Sequence, residues 1–181
     1  MRPSRTKSKN ILLGVCSSAA CFKALTLASA LVKKGHAVKT VLSPSAAKLI
    51  SPQLFGAVTK NEAFSEQFNP SLVSGDGHIS LSDWADFYVI APATANTIGK
   101  LASGICDNLL LTLAVSRRGA LFIAPAMESR MWQNGFVGEN VSKLKKSGVK
   151  FIGPVTGRLA SGSTGPGRMS EAEDIIKKLP L

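Results

Sequence analysis

Four stretches of this chain set small polar or charged residues where a ligand could meet them. In Gly14 to Ala20 (GVCSSAA), Ser17 and Ser18 stand between an apolar run and a helical pattern. Backbone N–H groups at such a helix start, with two hydroxyls, make a phosphate cradle; the same two serines also serve simply as a helix cap. The stretch is neither G-x-G-x-x-G nor a Walker loop, which weighs against dinucleotide and nucleoside triphosphate ligands. Ser43, before Pro44, is either a second phosphate donor or an N-cap. In Pro92 to Thr97 (PATANT), the small Pro92, Ala93 and Ala95 let a planar ligand approach the backbone, while Thr94, Asn96 and Thr97 offer polar edges. That combination suits a flavin ring better than a sugar. Pro125 to Trp132 (PAMESRMW) contributes Met127 and Glu128, and Gly157 to Met169 (GRLASGSTGPGRM) has the composition of a flap, with Ser161, Arg168 and Met169 along it. Its glycines allow hinge motion and Arg168 can meet an anion.

The elements that must position these stretches alternate between strand and helix, the pattern of βαβ units and a parallel sheet. The spacing predicts strands over 10–15, 37–42, 86–91, 120–124 and 149–152. Helices are predicted over 20–34, closed by Gly35, then 101–116, then 136–147, closed by Gly148. Residues 154–169 read as loop, and Ser170 with Glu173 as a capping box opening a last helix to Lys178. The expected fold is a single doubly wound α/β domain (Rossmann-like or flavodoxin-like) spanning 10–181 after a basic flexible tail at 1–9, with its ligand at the carboxyl ends of the strands.

Composition narrows the partners. A chain of 181 residues supports one domain with a full core. The apolar stretch Leu109 to Val115 is far shorter than a membrane span, and the basic N-terminus lacks a signal peptide's apolar region. A cytoplasmic protein without a membrane partner is expected. The net charge of +11 comes with only 6% aromatic residues, so solvated surface and anionic ligands are expected rather than nucleic acid. Cys16, Cys21 and Cys106 have no metal-site spacing and read as buried reduced thiols; two histidines cannot build a multi-histidine metal site.

PATANT, the continuation Gly104 to Leu110 (GICDNLL), the P-x-M-x-x-x-M-W block, the flap ending in Gly-Arg-Met and a histidine before Trp84-Ala85-Asp86 occur in that combination over nearly all of Lys9 to Lys178. Through them the chain resembles the homo-oligomeric flavin-containing cysteine decarboxylases. That family includes phosphopantothenoylcysteine decarboxylases of coenzyme A synthesis and lantibiotic-type peptidyl-cysteine decarboxylases. The resemblance implies FMN as cofactor, held by Gly14, Ser17, Ser18, Ser43 and Pro92 to Asn96, and a substrate met by Met127, Glu128, Ser161, Arg168 and Met169. It also implies a homotrimer or a dodecamer of trimers, and His78 (in GHISL) as the active-site base in a site shared with a neighbouring copy; a lone histidine is otherwise structural or solvated.

Two departures from the family bear on activity. Decarboxylating relatives carry an asparagine against the substrate carboxylate where this chain has Glu128, and like charges in contact cost about 1 to 4 kcal/mol. Coenzyme A-type relatives carry a cysteine at Ser161 that helps return the hydride; a hydroxyl is a far weaker acid. Three readings therefore stand: oxidative decarboxylation of a peptide C-terminal cysteine, phosphopantothenoylcysteine decarboxylation, and a flavin-binding partner subunit without activity.

Overall fold

The structure is a computed structural model and describes residues 8–67 and 77–181. Six parallel strands form one sheet: β1 (Asn10–Val15), β2 (Ala37–Leu42), β3 (Ala63–Phe64), β4 (Phe87–Ala93), β5 (Ala120–Pro125) and β6 (Lys150–Phe151), in the order β3-β2-β1-β4-β5-β6. This is the Rossmann-like strand order rather than the flavodoxin-like one. The strands alternate between two cores. Ile11, Leu13, Val15, Val89 and Phe122 face one side, while Leu12, Tyr88, Ile90 and Ile123 face the other. Burial on both faces explains why FYVIAPA reads as an unbroken apolar run.

Helices cover both faces. On the first side lie α1 (Cys21–Lys33), the single turn α2 (Pro44–Ala47), α3 (Pro52–Thr59) and, late in the chain, α9 (Ala172–Ile176). The second side carries α4 (His78–Trp84), α5 (Ala95–Ala102), α6 (Leu109–Ser116) and α8 (Gly135–Lys146), with the short α7 (Ser129–Trp132) before α8. From β1 the chain works outward to β3; from β4 it works outward the other way to β6. The gap between β1 and β4 is thus the topological switch point, where an open α/β sheet leaves a crevice.

Several expectations are corrected. The helix expected over 101–116 is two helices, because Thr94 and Asn108 each cap a fresh start by accepting from Thr97 N and Leu111 N. Residues 154–169 are not loop but an antiparallel hairpin, β7 (Val155–Arg158) and β8 (Thr164–Arg168). Ser170 does not open the last helix: Glu171 is its N-cap, and Ser170 is buried. Ser8 and Lys9 are held rather than loose, Ser8 Oγ donating to Gly35 O (2.8 Å) and Lys9 N to His36 Nδ1 (3.3 Å); the rest of the expected tail, 1–7, lies outside the described residues. Cys106 is exposed, unlike Cys16 and Cys21.

Candidate functional site

The tips of β2, β1 and β4 are tied to one another. Ser43 N donates to Val15 O (2.9 Å) and Cys16 N to Pro92 O (3.1 Å), so the segments after these strands form one platform at the switch point. Ser17 and Ser18 are half-buried before α1, and Ser18 Oγ accepts from Ala20 N (3.2 Å). Ser43 caps α2, its Oγ accepting from Ala46 N (3.2 Å), which leaves its hydroxyl proton to donate. Thr94 Oγ1 accepts from Thr97 N (3.3 Å) as the cap of α5, with Ala95 half-buried and Asn96 exposed in its first turn. Pro92 and Ala93 are buried within β4. Gly14 lies within β1 and has a packing reason of its own: a Cβ there would stand 2.7 Å from the hydroxyl of buried Tyr88.

Beneath the platform Cys16 is sealed. Thr97 Oγ1 donates to its Sγ (3.2 Å), and burial pushes the thiol up to about 11 against the partial offset of that hydrogen bond. Burial likewise raises Cys21, whose Sγ donates to Cys16 O (3.1 Å). Neither thiol is a nucleophile at neutral pH.

A cavity of about 630 Å3, within the range of small-molecule sites, opens from the platform. Ser18 to Ala20 form one wall, Ala126 to Glu128 another, and the β7–β8 hairpin the third, bringing Ser161, Arg168 and Met169 to the same space. The hairpin base is fastened to the second wall: Met127 N donates to Gly167 O (3.0 Å) and Ser129 Oγ to Pro166 O (2.6 Å). Gly167 has φ +130°, and a Cβ there would meet Met127 O at 2.3 Å, so only glycine permits this approach. The hairpin tip is exposed, with Ser161 Oγ 2.8 Å from Ser163 Oγ.

Glu128 lines the cavity but has work of its own. It is the N-cap of α7, accepting from Arg130 N (2.6 Å), and lies 3.7 Å from the Arg130 guanidinium. Three cavity residues were not singled out in the sequence. Phe22 and Lys23 belong to α1, outside every motif, and only the fold brings them to this space; Arg158 ends β7 and falls within the glycine-rich flap stretch.

His78 does not reach this cavity within one chain. It opens α4 on the opposite face from α1. Asp86, just after α4, donates its N–H to Asn10 O at the start of β1 (2.8 Å), so the helix rises from there toward the strand tips. Seven residues carry it about 10 Å. His78 is half-buried, and Ile79 beside it is exposed. Among the described residues, no group of three or more His, Cys, Asp or Glu could hold a metal, and no helix is long and apolar enough to cross a membrane.

The profile of the Flavoprotein family matches residues 2–180. The coenzyme A biosynthesis bifunctional protein CoaBC of Bacillus subtilis (strain 168) is 42% identical over 173 residues, 94% of this chain and 42% of that protein. The chain thus spans less than half the length of the curated relatives it matches best. A cysteine-to-serine variant of PPC decarboxylase, solved in complex with pantothenoylaminoethenethiol, superposes with a TM-score of 0.86 at 32% identity, covering 94% of this chain and 96% of that one. The FMN-dependent cysteine decarboxylase SpaF superposes with a TM-score of 0.80 at 28% identity, covering 96% and 95%.

Proposed function

Because the chain belongs to the Flavoprotein family, we propose that it binds FMN at the switch-point platform and decarboxylates a cysteine-type carboxylate in the adjoining cavity. The observation that carries this reading is the donor set: Ser17, Ser18, Ser43 and Thr94 stand on three tied strand tips, and Ser18 among them lines the cavity walled by the hairpin. Hydroxyls and helix-start N–H groups are the right chemistry for a phosphate, and small residues beside them admit a flat ring. The donors fit FMN. When bound, FMN supplies a hydride acceptor for the sulfur-bearing carbon, and the resulting C=S bond lies β to the carboxylate as a sink for the electrons released with CO2.

The chain's own residues do the rest. The platform orients the cofactor, and the hairpin covers the substrate and limits water. His78 moves a proton. Since His78 and the cavity lie on opposite faces of one chain, we place His78 at the cavity of a neighbouring copy, in a homotrimer or a larger assembly of trimers. Exposed Ile79 beside it and exposed Phe22 at the cavity rim are the apolar surface such a contact would cover.

The substrate we favour is phosphopantothenoylcysteine, on the strength of the CoaBC and PPC decarboxylase likenesses. A second reading, oxidative release of an enethiol as from a peptide C-terminal cysteine, is favoured by Ser161, whose hydroxyl is a poor proton donor for returning a hydride. Product mass after incubation with phosphopantothenoylcysteine, and separately with a cysteine-terminated peptide, under air and without oxygen, tests both. Saturated product over many turnovers without oxygen would refute the oxidative reading. A product short by CO2 and two hydrogens would support it. No CO2 from any cysteine substrate would leave a flavin-binding partner subunit.

A further inference from the structure

A second cavity, of about 560 Å3, opens beside β6 and shares no lining residue with the one at the strand tips. Its volume is that of a small-molecule site. One wall is the outer edge of the sheet. The register sets Lys150 beside Phe122 on one face, and Ile152, two residues on, falls on that face too. The other wall is α9, whose Ala172, Ile175 and Ile176 turn to the core while Asp174, Lys177 and Lys178 line the cavity.

The two ends of this cavity differ. At one, Ser170 is only 3% exposed, and its hydroxyl has no hydrogen-bond partner among the described residues. That hydroxyl rests against Gly153, where a Cβ would stand 2.4 Å from Ser170 Oγ, and both residues line the cavity. From this contact the two walls run back together. Lys150 precedes Gly153 by three residues of extended chain, about 10 Å. α9 starts at the strand tips beside Met169 and covers the sheet by running back along it, so Lys177 and Lys178 arrive at the Lys150 end, also about 10 Å on. Asp174 pairs with Lys177 (3.1 Å), which leaves the ammonium groups of Lys150 and Lys178 without an ion-pair partner among the described residues. Lys150 Nζ stands 5.3 Å from the centroid of the Phe122 ring, over the apolar floor. Lysine at an open sheet edge discourages edge pairing. That accounts for Lys150, but not for the buried hydroxyl or for the lysines of α9.

We propose that this cavity binds an organic carboxylate of medium length. Its charged head lies between Lys150 and Lys178, its apolar body runs along Phe122 and Ile152, and an acceptor at its far end takes the Ser170 hydroxyl. Two ammonium groups suit the two oxygens of one carboxylate. An unmet hydroxyl in a buried wall costs stability that an acceptor restores. The site is separate from the chemistry at the strand tips and does not depend on the decarboxylase reading.

The test is a calorimetric titration of FMN-loaded protein with octanoate, with octanamide and with the methyl-ketone analogue of octanoate. Octanoate is expected to saturate and to bind at least about tenfold tighter than octanamide at low salt, the preference shrinking as salt rises. The ketone analogue should bind about threefold tighter than octanoate. Lys150→Gln combined with Lys178→Gln removes the preference for the carboxylate. Ser170→Ala removes the advantage of the ketone and keeps the affinity for octanoate; FMN stays bound in every variant. Absence of saturable binding, or equal affinity for octanoate and octanamide, would overturn the proposal. So would a carboxylate preference that survives the double lysine substitution, or a ketone advantage that survives Ser170→Ala. A preference lost in Arg168→Gln but kept in the double lysine variant would move octanoate to the cavity at the strand tips, and would overturn the proposal as well.

Discussion

The strand-tip platform and the β7–β8 hairpin border the same cavity but are built in opposite ways. The platform is backbone tied to backbone over buried residues: Ser43 N on Val15 O, Cys16 N on Pro92 O, and Ile11, Leu12, Leu13, Val15 and Cys16 each at 1% exposure or less. The hairpin rests on the surface, fastened at its base through Met127, Ser129 and Glu171, with exposed residues at its tip. Rigidity suits holding a cofactor in one pose; a loosely tipped hairpin suits admitting and covering a substrate. The contrast separates variants that disturb turnover with cofactor retained from those that disturb both.

The largest effect is expected at neither region but at the group that must meet them. His78→Asn should lower decarboxylation by about 100- to 10,000-fold, the usual contribution of a positioned acid–base group. FMN absorbance should be unchanged, because His78 is expected to move a proton rather than to hold the cofactor. Mixing this variant with one that is intact at His78 but impaired at the hairpin sharpens the point. Activity regained in mixed assemblies is the expected result; none regained would place His78 and the cavity in the same chain's site.

Gly167→Ala should come next. The added Cβ meets the Met127 carbonyl oxygen at 2.3 Å in a backbone conformation that disfavours side chains, so the hairpin base must shift. Local strain of about 1 to 3 kcal/mol is expected. Activity should fall roughly tenfold or more, while FMN stays bound and the thermal unfolding of the sheet barely moves. A variant that loses FMN as readily as activity would show that hairpin and platform are one unit.

The platform was legible in the sequence because its determinants are local. A continuous apolar run, small residues and serines at strand ends identify β1, β2, β4 and the polar tips after them, and the sheet and its doubly wound class follow. Glycine-rich 154–169 read as loop because its pairing is with itself across a turn, and strand propensity is weak in VTGR and TGPGR. Lys23 had no motif, since α1 is brought to the cavity only by the fold. Ser170 and Glu173 matched a capping box by spacing alone, but the helix starts one residue later because Ser170 is drawn into the core beside Gly153. The opposite placement of His78 and the cavity follows from α4 covering the other face, which no local pattern contains.

The smallest effect belongs to Glu171, the carboxylate that ties the hairpin to α1. The Lys23 ammonium above all, with the Arg168 guanidinium, holds its carboxyl below the usual carboxylate range, against an opposing contribution from burial. A depressed carboxyl pKa stabilises the folded state at pH values above the ordinary range, and that stabilisation is lost as pH falls through the depressed value. Glu171 is about half exposed, so solvent screens the pair and the contribution is small, under about 1 kcal/mol. Glu171→Gln should therefore lower the melting temperature slightly at pH 7, and the difference from wild type should shrink as the pH falls below the ordinary carboxylate range. Melting curves at stepped pH read the effect. A stability difference that persists undiminished however far the pH is lowered would mean that Glu171 acts through packing and hydrogen bonds rather than through its charge. The hairpin would then resemble the platform more closely than its exposure implies.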